Sequence, residues 1–137
     1  MSLTGVVNSS SGFSPTFAAE LRERSDEDLE KLFTLRPDLI TPIPADMSSL
    51  ATRACSAPSL LRALETLNQW QFQVLEVCAA LRDPFTVKEV ITLSEKASQE
   101  VILHLRSLAL IYSDGVGFRL PRAVRDLLGN EPAGLGP

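Results

Sequence analysis

Three features of this sequence predict a mostly α fold: a winged helix-turn-helix with a β-hairpin wing, preceded by a packed helical lobe. Phe72, Leu75, Cys78 and Leu81 recur at helical spacing. Thr86 with Glu89 three residues on makes a capping box, and a polar turn and another amphipathic run follow it. Asp114-Gly115 is a two-residue hairpin turn between β-prone segments. With 137 residues and 45% hydrophobic content the chain can bury a real core, as one domain or two small lobes.

Residues 1–15, with Asn8, Ser9, Ser10, Ser11 and Gly12, read as a disordered lead. The N-terminal helical lobe is assigned to residues 16–67, its order beginning at Phe13 or Phe17. Phe17 and Leu21 mark a short helix that breaks near Arg24. Ser25 with Asp28 caps the next, which carries Leu29, Leu32 and Phe33. Asp26, Glu27 and Asp28 fall in its first turn, where carboxylates favour the positive end of the helix dipole, so the acidic run reads as helix-starting chemistry. Arg36-Pro37-Asp38 ends this element. The prolines at 37, 42 and 44 predict an extended or turned segment up to Pro44. Asp46 then caps a helix carrying Leu50, Ala51 and Ala54, Ser56-Ala57-Pro58 interrupts, and Leu60, Leu61, Leu64 and Leu67 stripe a further helix toward Trp70.

The winged helix is assigned to residues 68–129. Asp83-Pro84 stops its first helix, and the Thr86 box opens a short second one, roughly Val87 to Ser94. After Ser94-Glu95-Lys96-Ala97-Ser98 a third helix, with Ser98 as cap, carries Val101, Leu105 and Leu108 inward. Three helices in ~40 residues, with a tight turn between the second and third, fit a helix-turn-helix. The period then changes: Leu110-Ile111-Tyr112 is β-prone, and Phe118 and Leu120 alternate with Gly117 and Arg119 across the turn, forming the wing. Pro121 opens a last helix at its first position, with Val124, Leu127 and Leu128 on one face and Gly129 ending it. Residues 130–137 form a tail. Nothing marks a flexible linker between the lobes, so they are expected to pack together, with Trp70 at their junction.

Composition narrows the function. No run approaches ~18 apolar residues and the N-terminus lacks signal-peptide character, so a soluble cytoplasmic protein with no membrane partner is expected. Cys55 and Cys78 match no metal spacing and read as buried thiols within helices. Net charge is -4 and the pI near 5.0, so no global field draws the chain to nucleic acid. His104 is the only histidine, which excludes histidine metal clusters, and its neighbours Glu100 and Ser107 suggest a solvated side chain. No glycine after Gly12 precedes a lysine, so a phosphate-binding loop is absent. No catalysis, metal or cofactor is expected.

Leu35-Arg36-Pro37-Asp38-Leu39-Ile40-Thr41-Pro42-Ile43-Pro44, then Leu50-Ala51-Thr52-Arg53-Ala54 and Ala63-Leu64-Glu65-Thr66-Leu67, resemble the opening of bacterial helicase-associated proteins, large chains carrying an XPB-like helicase C-terminal or helicase-associated domain. The ending is similar too, in Leu120-Pro121-Arg122-Ala123-Val124-Arg125, Gly129, and Pro132 to Pro137. The similarity spans about residues 16–137. It implies association with DNA transactions and an N-terminal region of a longer chain.

The expected function is a non-catalytic module of weak, non-specific DNA contact, with a protein-interaction or dimerisation module without nucleic-acid binding as the alternative. For double-stranded DNA, the third helix would enter the major groove with Gln99, Glu100, Leu103, His104, Arg106 and Ser107 outward. Arg119, Arg122 and Arg125 on and after the wing would join Arg106 in gripping the backbone. The nucleic-acid-binding set is thus Arg106, Arg119, Arg122, Arg125, Gln99 and His104. The alternative pairing of these arginines with Asp114 or Asp126 remains open. Without DNA, the module would bind a protein partner, the remainder of a longer chain, or a second copy as a homodimer. Leu103 with Ile102 or Leu110 would then supply an apolar patch, and Trp70 an anchor.

Overall fold

Each helix of the N-terminal lobe begins where a polar side chain can bond a free first-turn amide or where a proline needs none. The computed structural model describes residues 16–129. The expected lead with Phe13, the tail, and the likeness at Pro132 to Pro137 lie outside the described residues. Thr16 accepts from the Ala19 amide to start α1 (Phe17–Glu23), and Ser25 accepts from the Asp28 amide to start α2 (Asp26–Leu35). Between α2 and the next helix the chain is not simply extended. Pro37 opens a 3-10 helix, Pro37–Ile40, because its fixed φ suits a first helical turn, and Leu39 is thereby buried.

The Asp46 carboxylate caps α3 (Met47–Ala54) through the Ser49 amide. The expected interruption falls at Cys55-Ser56, and Pro58 sits in the first turn of α4 (Ala57–Glu65), where its missing N–H costs no bond. The leucine stripe does not run on to Trp70. Asn68 and Gln71 form a reciprocal capping box that starts a separate helix, α5 (Gln69–Ala80).

Beyond α5, Thr86 and Glu89 bond reciprocally, the Glu89 amide to Thr86 Oγ1 at 3.1 Å and the Thr86 amide to Glu89 Oε1 at 2.9 Å, and α6 (Val87–Leu93) follows. Ser98 caps α7 (Gln99–Ser107). Thr86→Ala is expected to cost about 1 kcal/mol in a urea melt, since one first-turn amide loses its acceptor. An unchanged midpoint would mean that this bond adds nothing to the start of α6.

Strands β1 (Tyr112–Ser113) and β2 (Phe118–Arg119) pair antiparallel, Tyr112 opposite Arg119 and Ser113 opposite Phe118. The connection is therefore the loop 114–117 rather than the two residues Asp114-Gly115. The Asp114 carboxylate accepts from the Val116 and Gly117 amides at 2.9 Å each, and the Asp114 amide donates to the Gly117 carbonyl at 3.0 Å, which centres the turn on Gly115-Val116. A third stretch joins β2: the Phe85 amide donates to the Phe118 carbonyl at 2.9 Å and the Phe118 amide returns to Phe85 at 2.7 Å. Gly117 makes this approach possible, since a Cβ there would stand 2.5 Å from the Phe85 carbonyl oxygen. α8 (Arg122–Leu128) begins one residue after Pro121, which stands before it without a side-chain capping bond, and ends at Gly129 with φ +82°.

Two apolar cores result. The larger joins α5 to α8 and the hairpin through residues such as Leu75, Phe85, Ile102 and Leu105, and it also takes Leu60 and Ala63 from α4. The smaller gathers Leu21, Leu32, Leu39, Leu50 and Ala54, and is completed by Ala109 from the turn after α7.

Trp70 does not fill the junction. It is 47% exposed, and the Lys96 ammonium lies 4.2 Å from its ring centroid, a cation–π contact between α5 and the turn before α7. Arg36 fills the junction instead, with 1% of its surface exposed. Its Nη1 donates to the Leu108 carbonyl, and its Nη2 to the Ala54 carbonyl and Ser59 Oγ, each at 2.8 Å. The Ser59 hydroxyl donates in turn to the Asp38 carboxylate at 2.6 Å. Burial draws the guanidinium below its ordinary value and Asp38 opposes that pull, so the side chain remains a cation bonded on several sides.

Candidate binding interface

The outer face of α7 is not open to solvent on all sides, because α2 lies along it. Lys31 and Leu35 of α2, Gln71 of α5, and Glu100, Val101, Leu103, His104 and Ser107 of α7 line a groove of about 600 Å³. A second hollow of about 500 Å³, lined by Glu27, Asp28, Glu30, Lys31 and Thr34, adjoins it through Lys31. Gln99 and Glu100 are exposed in the first turn of α7, and His104 is half-buried in the groove. Leu103 is 45% exposed, but Ile102 and Leu110 are fully buried, so the patch expected around Leu103 does not include them.

Arg106 does not project outward. Its Nε donates to Glu20 Oε2 at 2.9 Å and its Nη1 to Asp28 Oδ2 at 3.3 Å, both carboxylates of the N-terminal lobe. Glu20 also accepts from Arg24 Nε at 2.7 Å and from the Ser113 amide at 3.0 Å, while Arg24 Nη2 donates to the Arg106 carbonyl at 2.8 Å. One carboxylate on α1 therefore holds α7 and β1 together. Burial alone would raise the Glu20 carboxyl, yet the bonds from Arg24, the Ser113 amide and Arg106 outweigh it and hold the group below its ordinary value.

A lowered folded-state value sets the sign of the pH dependence. The stability Glu20 adds is full above the unfolded carboxyl value of ~4.3 and is lost as pH falls through the lower folded value. Urea midpoints of the native chain should therefore drop on acidification below about pH 4. Glu20→Gln should be destabilised at neutral pH and lose less on acidification. Parallel curves for the two proteins would sink this assignment.

The arginines near the hairpin are also engaged. Arg119 Nε donates to Asp114 Oδ2 at 2.7 Å. Arg125 pairs with Asp83 rather than Asp126, Nη2 to Oδ1 at 2.9 Å, and its Nη1 donates to the Ala79 carbonyl at 2.5 Å. Asp114 would be raised by burial, but the Gly117 and Val116 amides and Arg119 hold it below its ordinary value. Of Arg106, Arg119, Arg122 and Arg125, the exposed Arg122 alone makes no ion pair among the described residues.

Cys78 is buried, with its thiol pushed up to about 12 by burial, while Cys55 caps the end of α3, half-buried and raised by the same cause. Neither thiol is a ready nucleophile. Among the described residues no three His, Cys, Asp or Glu side chains gather as a metal site, and no helix is long and apolar enough to cross a membrane.

Spacing alone pointed to Arg106, Arg119, Arg122 and Arg125 but missed Glu20, Arg36 and Asp83, which lie in or close the contacts between elements. The four-residue step from Glu20 to Arg24 is a local sign of the ion pair those two residues form. Comparison with known proteins finds no matching family model, curated protein or solved structure.

Proposed function

We propose that this chain is a non-catalytic winged-helix module that acts by holding a protein partner rather than by gripping DNA. The order α5, Phe85 bridge, α6, α7 and hairpin supports the winged-helix reading, since a single bridging residue between the first two helices pairs with the wing. The observation that carries the functional choice is the engagement of Arg106 by Glu20 and Asp28. Backbone binding to DNA needs several uncompensated cations, and Arg106, Arg119 and Arg125 already face carboxylates. Glu27, Glu30 and Glu100 would add repulsion beside any groove that α7 entered. The helicase-associated context rests on the sequence likeness that residues 35–44 carry most specifically.

Fluorescence anisotropy with a labelled duplex at low salt tests the choice. No binding is expected at about 50 mM salt, where phosphate contacts are strongest. Binding that falls steeply with salt and weakens in the Arg119→Ala, Arg122→Ala double variant would overturn this reading in favour of DNA.

A further inference from the structure

We infer that the trough between α2 and α7 docks a lysine- or arginine-rich amphipathic helix of a partner protein, a step that rests on the interaction-module reading above. The shape comes first. Lys31 and Leu35, one turn apart on α2, face a row of Glu100, Leu103, His104 and Ser107 along α7, and Glu27 and Glu30 line the adjoining hollow that shares Lys31. The α7 row runs about two turns, on the order of 10 Å at 1.5 Å per residue, and the groove follows it alongside α2. An elongated trough with an apolar floor accepts a helix that presents leucine-like side chains at three- and four-residue spacing.

The floor and rim specify the chemistry. Leu35, Val101 and the 45% exposed Leu103 supply the apolar contact. Glu27, Glu30 and Glu100 are exposed and make no ion pair among the described residues, whereas Lys31 is the one lysine or arginine in either lining. Asp28 is already shared with Arg106. The rim therefore carries a surplus of negative charge that complements a basic helix and rejects an acidic helix or a phosphate backbone. Leu103 sits at the centre of the α7 row, so desolvating it is the main apolar gain.

The probe is a fluorescein-labelled two-heptad leucine–lysine helix, set against a scramble of the same composition that breaks the leucine stripe and a leucine–glutamate counterpart. Expected is binding of the leucine–lysine helix at least about tenfold tighter than the scramble, with the glutamate peptide silent. Leu103→Ala should weaken it about tenfold, and Glu30→Gln with Glu100→Gln should weaken it and flatten its salt dependence. Because these side chains are exposed, unchanged circular dichroism should certify that the variants fold. Equal affinity for the scramble, no binding of the leucine–lysine helix, or indifference to Leu103→Ala would overturn the inference. A labelled duplex in the same assay separates the two levels: duplex binding overturns the interaction-module reading, whereas silence of both probes overturns the docking inference alone. Self-association in sedimentation that Leu103→Ala abolishes would assign the trough to a second copy of the chain and also overturn it.

Discussion

Arg36→Met is expected to destabilise the protein by about 3 kcal/mol, since removing one member of a buried charged network leaves its partners unpaired. Methionine fills much of the same space but donates nothing to the Leu108 and Ala54 carbonyls or to Ser59. Those acceptors stay where no donor replaces the guanidinium, so the loss exceeds the net value of the bonds themselves. Arg36→Lys should recover only part of it, because a single ammonium cannot reach acceptors on three elements with the geometry of a planar fork. Urea melts at neutral pH give both numbers. A loss under about 1 kcal/mol for Arg36→Met would show that this junction is held by apolar packing instead.

Phe85→Ala is expected to cost about 3–5 kcal/mol, the range for deleting a large buried aromatic side chain. The ring is fully buried and stands 6.1 Å from that of Phe118, so its removal opens a cavity under the hairpin. The backbone bonds between Phe85 and Phe118 do not need the ring, but the ring belongs to the same buried core as residues of α5 and α7, so its loss loosens the bridge from that core. Denaturant melts check the cost. Hydrogen exchange adds a local readout: the Phe118 amide should lose protection more than the amides of α3, which belong to the other core. Equal loss across both cores would mean that the two lobes unfold as one unit.

Much of the helical pattern was legible without coordinates. Ser25, Asp46, Thr86 and Ser98 are caps because each finds its amide three residues on, and Gly129 stops α8 because its own backbone can take a positive φ. The hairpin lies where its turn residues stand, but its turn centres one residue later, on Gly115-Val116, with the Asp114 carboxylate bonding the Val116 and Gly117 amides. The fate of the charges was legible only where the partner stands close in sequence, as Asp114 does for Arg119. Arg106 meets Glu20 across 86 residues of sequence, and Arg36 meets the Leu108 carbonyl across 72. Nothing in local spacing distinguishes an arginine that will be claimed this way from one that stays free, as Arg122 does among the described residues. Helix starts, stops and apolar faces were determined by contacts within about one turn, so the sequence alone specifies them. Which side chains remain on the surface to meet a partner was decided only when α1 and α2 came to lie on α7, because a buried cation or carboxylate must find its counterpart wherever packing brings one near.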